Sequence, residues 1–163
     1  MKRYIKSAII PVLDEAWADR IDMANNPRTS PRDLERLSTC WEYDVRAYVG
    51  ENPNTPEHVL RELADDQSLE VRQFLARNLS LPVDILVKLS EDPIAIVRNS
   101  VAWNPNTPED VLQKLSNDPE KVVRTGLIFN SNIPTYLLQK LAKDRDRYVA
   151  TCAKEQLKGR GVL

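Results

Sequence analysis

Residues 104–130 read NPNTPEDVLQKLSNDPEKVVRTGLIFN, a stretch that begins and ends on asparagine. Counting from Asn104 as zero, Val111, Leu112 and Leu115 stand at offsets 7, 8 and 11, the stripe of an amphipathic helix. Thr107 reads as its N-cap, Pro108 as its first helical residue and Glu109 as a favourable acid in the first turn. Asp118 followed by Pro119 reads as a second cap and first turn, and Val123 with Leu127 gives the second helix an i, i+4 apolar edge. Asn130, a residue type that tolerates the left-handed conformation, reads as the C-cap that ends it.

The same grammar extends in both directions. NPRTS at 26, NPNTP at 52, NLSLP at 78 and NSNIP at 130 fall into register with NPNTP at 104, so the period is 26 residues. Offset 8 is Leu34, Leu60, Leu86, Leu112 and Leu138, and offset 11 is Leu37, Leu63, Leu89, Leu115 and Leu141. Each repeat therefore predicts a helix A of about ten residues and a helix B. Helices this short are marginal alone in water, so each repeat needs its neighbours. Residues 14–24 read as a lone helix B, with the first twelve residues covering its open end. The chain divides on this reading into an N-terminal cap with a half repeat (1–25), the repeat array (26–148) and a C-terminal capping helix with its tail (149–163).

The pattern NPxTPxxxLxxLxxDxxxxVRxxVAxNP resembles the leucine-rich repeat variant, and its Asp, Val and Arg spacing is similar to the HEAT repeat; the resemblance covers residues 14–158. It implies an all-α fold, a right-handed α-solenoid with an armadillo/HEAT-like superhelix of about five 26-residue two-helix repeats, in which α-helices alternate with 3₁₀ helices. It also implies a scaffold or adaptor more than a catalyst. An iron–sulfur segment precedes the repeats in a founding member, but no cysteine precedes Cys40 here, so no cofactor is carried over.

Composition sets further bounds. The net charge is −1, with 23 basic against 24 acidic residues, which argues against a nucleic-acid-binding surface driven by charge alone. The two cysteines, Cys40 and Cys152, have no metal-ligand spacing, and as free thiols they fit a reducing compartment; the expected location is cytoplasmic, without a membrane span. His58 is the only histidine and reads as a surface residue in a helix A, so no nucleophile has a base beside it. No phosphate-binding glycine motif occurs. No catalytic, cofactor or metal residue is expected.

Two sets of residues remain. Arg46, Arg72, Arg98 and Arg124 recur at offset 20, and Asp66, Asp92, Asp118 and Asp144 recur at offset 14. Read as a ladder between adjacent repeats, twenty residues apart, they pair as Arg46–Asp66, Arg72–Asp92, Arg98–Asp118 and Arg124–Asp144, and Arg20 is stranded. The alternative use of the arginines is to track phosphates. The helix-B face opposite the core holds offsets 17, 21 and 25. There the repeats differ most: Gln73, Asn99 and Thr125 at offset 21, and Arg77, Trp103 and Phe129 at offset 25. These six are the candidate partner-binding residues for a protein or peptide, with helix-end packing as the other reading of the two rings. The expected function is a non-enzymatic protein- or peptide-binding scaffold, and the alternative is a HEAT-like nucleic-acid binder of the DNA-repair type.

Overall fold

The computed structural model describes residues 13–162, and the expected covering of the open end by the first twelve residues lies outside them. Among the described residues there are eleven α-helices and no strand. Helices A are α2 (Pro31–Leu37), α4 (Glu57–Leu63), α6 (Val83–Leu89), α8 (Glu109–Leu115) and α10 (Thr135–Leu141). Helices B are α1 (Leu13–Asn25), α3 (Tyr43–Glu51), α5 (Leu69–Leu75), α7 (Ala95–Trp103), α9 (Lys121–Ile128) and α11 (Arg147–Gly159). Helix B is α-helical throughout, a point that the resemblance, with its alternation of α and 3₁₀ helices, leaves open, while helix A is seven residues and not ten.

The helices form two compact units, Met1–Pro82 and Val83–Leu163. In the first, α3 lies against α1 and α5, with α2 and α4 bracketing it; in the second, α9 lies against α7 and α11, with α8 and α10 alongside. Both cores come from the fixed columns. Leu34, Leu60, Val45, Val49, Val71 and Leu75 are buried in the first unit, and Leu86, Leu112, Leu138, Val97, Val123 and Leu127 in the second. At about 25 cal/mol per Å² of apolar surface removed from water, each such leucine contributes roughly 2 kcal/mol relative to its exposed state.

Three capping assignments made from local sequence are corrected. The helix following Thr55 has Pro56 at its N-cap, and likewise Pro108 stands there after Thr107. The threonine hydroxyls instead turn back and donate to the last turn of the preceding helix B, Thr55 Oγ1 to the Val49 carbonyl (2.5 Å) and Thr107 Oγ1 to the Val101 carbonyl (2.6 Å). The offset-14 aspartates stand ahead of the helix start at offset 17, and each closes a side-chain turn by accepting from the amide two residues on, as in Asp66 with Ser68 (2.9 Å) and Asp118 with Glu120 (2.9 Å).

The third correction concerns the asparagines. Asn52 and Asn104 are C-caps, but with extended backbone (φ −68° and −67°), not the left-handed conformation. Their side chains carry the function. Asn52 Nδ2 donates to the Ala24 and Asn26 carbonyls (2.8 and 2.9 Å), which belong to the end of the previous helix B and the turn after it. Asn130 Nδ2 does the same to the Ala102 and Asn104 carbonyls (2.9 and 2.7 Å), and Asn78 to those of Gly50 and Asn52 (2.8 and 2.9 Å). The last carbonyls of a helix have no partner within it, so Asn52, Asn78 and Asn130 satisfy otherwise orphaned acceptors at Ala24, Gly50 and Ala102. They also add a second donor to the turn carbonyls of Asn26, Asn52 and Asn104, which already accept from the Thr29, Thr55 and Thr107 amides.

Close approach within the second unit depends on a residue with no side chain. A Cβ built on Gly126 of α9 would stand 2.4 Å from Asn99 Oδ1 and 2.9 Å from the Asn99 carbonyl oxygen of α7. The side-chain oxygen can rotate away, but the backbone carbonyl cannot. Gly126→Ala is therefore expected to lower stability by about 1–2 kcal/mol, since overpacking of this kind exceeds the helix propensity gained. Gly159→Ala, whose Cβ would meet nothing within 4 Å, serves as the control. Thermal unfolding of the two variants checks the sign: a fall for Gly126→Ala and no fall for Gly159→Ala.

Candidate partner-binding faces and the arginine ladder

The arginine column stands on the fourth residue of helices B, and its side chains reach back to the turns between helices A and B. Arg46 Nε and Nη2 form a bidentate pair with the Asp66 carboxylate (2.7 and 3.0 Å), while Nη1 donates to the Cys40 and Trp41 carbonyls (2.8 and 2.9 Å). Both side chains are almost wholly buried, at 4% and 1% exposure. In the second unit Arg98 holds Asp118, and Arg124 holds Asp144, each through Nε at 2.7 Å, with the Nη1 atoms on the carbonyls of Asp92 and Asp118. Each guanidinium thus closes its own turn and clamps the next, a geometry only its planar fork of donors allows.

The remaining members are placed as follows. Arg72 lies in the first unit, where Nη1 donates to the Asp66 carbonyl (2.7 Å), and Asp92 lies in the second, where Oδ1 accepts from the Ile94 amide (2.8 Å). Arg20 is not stranded: its Nη2 is paired with Glu42, which is buried. Cys40 occupies the aspartate position of this repeat, so the guanidinium turns to the carboxylate two residues further on. Burial is the main cause that raises the Cys40 thiol above its ordinary value. At Asp144 burial acts against ionisation, but the hydrogen bond from Arg124 and the amide of Asp146 outweigh it and hold the carboxyl below its usual range.

The outer face of helix B differs between the two units. In the first it is charged and self-paired: Arg77 Nε lies 3.2 Å from Glu51, and the guanidinium lies over the Phe74 ring at 5.2 Å. Phe74 in turn meets Tyr48 edge to face, with ring centroids 5.5 Å apart. Gln73 is half-buried on α5. In the second unit the face is aromatic. Trp103 is 46% exposed and Phe129 51% exposed, so neither ring is a core residue. Between them lie half-buried Asn99 and Thr125; the threonine hydroxyl donates to the Lys121 carbonyl (2.8 Å).

Two exposed side chains on this face were missed from the sequence. Val122 and Tyr148 stand at offset 18, and Tyr148 is 60% exposed. Offset 18 is seven residues from offset 25, nearly two full turns, so it shares the face. The signal was present in the wheel, but α11 reads as a polar end cap and hides it.

No group of three or more potential metal-ligating side chains comes together among the described residues. His58 lies on the surface, 60% exposed and 3.2 Å from Glu35. No helix among the described residues is long and apolar enough to cross a membrane.

Residues 43–68 match a family described as leucine rich repeat variant, a HEAT-like helical repeat family. The matched segment runs from the start of α3 through α4 into the turn before α5, which is one period of the pattern. No curated protein and no solved structure matches the chain.

Proposed function

We propose that this chain is a non-catalytic scaffold that binds a protein or peptide through the outer face of helix B. The observation that carries this reading is the exposure of Trp103 and Phe129 on a face that the structural columns leave free. Large aromatics at half exposure, flanked by uncharged polar groups, have the composition of a binding hot spot. The arginines that could track a phosphate backbone favour the same reading by their engagement. Arg46, Arg98 and Arg124 each hold an aspartate and a backbone carbonyl, so they have few donors left for a nucleic acid.

The test is the double variant Trp103→Ala with Phe129→Ala in the full chain. It is expected to remove capture of a partner protein in a pull-down while changing stability by no more than about 1 kcal/mol, the range for substitutions outside the core. Undiminished capture would move the binding surface elsewhere. Capture of duplex DNA that weakens steeply with salt would replace the reading with the nucleic-acid one.

A further inference from the structure

The chemistry of the partner can be read one step further from the second unit. Three helices B of that unit lie side by side, α7 against α9 and α9 against α11. Their outer faces carry Ala95, Asn99 and Trp103 on α7; Lys121, Thr125 and Phe129 on α9; and Arg147, Thr151 and Glu155 on α11. Tyr148 and Val122 widen the apolar part. The rows are not chemically uniform. Cations stand at the N-terminal edge of α9 and α11, and the rings of Trp103 and Phe129 stand at the C-terminal edge of α7 and just past α9.

We propose that this face takes an extended, acidic polypeptide segment with an apolar side chain at every third residue. The inference rests on the scaffold reading above and assigns its ligand class. Three observations carry it. First, the Arg147 guanidinium has no ion pair or hydrogen bond among the described residues, and the Lys121 ammonium has only a 3.4 Å contact with Asp146 and is 67% exposed. An exposed pair of that kind is weak, so a ligand carboxylate finds two available cations. The nearby acids are Glu120, exposed beside Lys121, and Asp146, whose carboxylate is occupied by the Tyr148 and Val149 amides and Lys121. Glu155 lies two turns along α11 from Arg147, in the row of Trp103 and Phe129, and repels a carboxylate from that row toward Lys121 and Arg147.

Second, the half-buried Asn99 side-chain amide has no hydrogen-bond partner among the described residues, and its Oδ1 packs against Gly126 of α9. Its Nδ2 can donate to a ligand backbone carbonyl. Third, packed helices lie ~8–10 Å apart, and three residues of polyproline-II chain advance ~9 Å with every third side chain on one side. A β-strand of the same length would turn alternate residues away. A segment crossing from α7 to α9 in the threefold form therefore sets successive apolar side chains on Trp103 and Phe129.

The experiment is selection of a displayed random dodecapeptide library on the full chain and on two variants, with the best peptide then synthesised and titrated. Wild type is expected to enrich acidic sequences with apolar residues three apart. Lys121→Glu with Arg147→Glu is expected to lose the acidic bias and weaken the best peptide roughly tenfold. Trp103→Ala with Phe129→Ala is expected to weaken it about 30-fold or more. Enrichment without acidic bias, or affinity unmoved by the charge reversal, overturns the ligand class while leaving the scaffold reading intact. Enrichment undiminished by loss of both rings overturns both, and no enrichment on wild type overturns the ligand class alone, since a folded partner is read by the pull-down.

Discussion

Arg46→Ala is expected to destabilise the first unit by about 3–5 kcal/mol, the cost of breaking a buried ion pair from one side. The size follows from what the truncation leaves behind. Asp66 keeps a carboxylate at 1% exposure without its bidentate partner, and the Cys40 and Trp41 carbonyls lose a shared donor. Arg46→Lys is expected to recover only part of the loss, because an ammonium cannot serve both sides of the turn with fixed geometry. Replacing both members, Arg46→Met with Asp66→Leu, is expected to cost much less than either single truncation, since no charge is then buried unpaired. Chemical denaturation of the single and double variants checks this. Equal, additive losses would mean that the pair is not coupled.

Asn130→Ala is expected to cost about 2–3 kcal/mol, because it leaves the buried Ala102 carbonyl without a partner and removes further hydrogen bonds at the Asn104 carbonyl and the Asn132 amide. The residue is 1% exposed and its side chain makes three hydrogen bonds, two to the Ala102 and Asn104 carbonyls and one from the Asn132 amide (2.8 Å). Asn130→Asp separates the donor role from the acceptor role. It keeps the turn acceptor but points a carboxylate at two carbonyls, so it is expected to be at least as damaging at neutral pH. Protonating that carboxyl returns one donor, so the variant should gain stability on acidification while Asn130→Ala does not. A difference of that sign in thermal unfolding between the two variants separates inter-repeat bonding from simple loss of packing.

Much of the fold was legible because each repeat states its chemistry again. The apolar columns at offsets 8, 11, 19 and 23 give the helices, and the residues that fill them are buried in both units. The register of Arg46 with Asp66 could be counted from the sequence alone, because a fixed period of 26 converts spacing into neighbourhood. The asparagine column was read only in part for the opposite reason: Asn52 and Asn104 are C-caps as expected, but in extended and not left-handed backbone, and the work of their column's side chains lies elsewhere. A local reading sees Asn52 between a helix and a proline and infers a cap, but its acceptors lie 26 and 28 residues earlier, in a different repeat. Thr55 shows the same failure on a smaller scale, since its hydroxyl acts on the helix before it and not the one after.

The candidate faces were less legible. Offset 25 was identified by its variability, but the sequence does not show that Arg77 is spent on Glu51 and Phe74 while Trp103 and Phe129 stand open. Exposure depends on the packing of the next helix, which variability does not encode. Arg20 is a similar case. Losing the ladder aspartate at Cys40 suggested an isolated cation, yet Glu42 is near enough to take the pair.

The structural columns and the proposed binding face are thus different residues on the same helices. A photo-activated cross-linking side chain placed singly at Trp103, Phe129 and, on the exposed side of helix A, Gln113, tests this separation most directly in the presence of partner protein. Cross-links from positions 103 and 129 with none from 113 are the expected result; cross-links mainly from position 113 would contradict it.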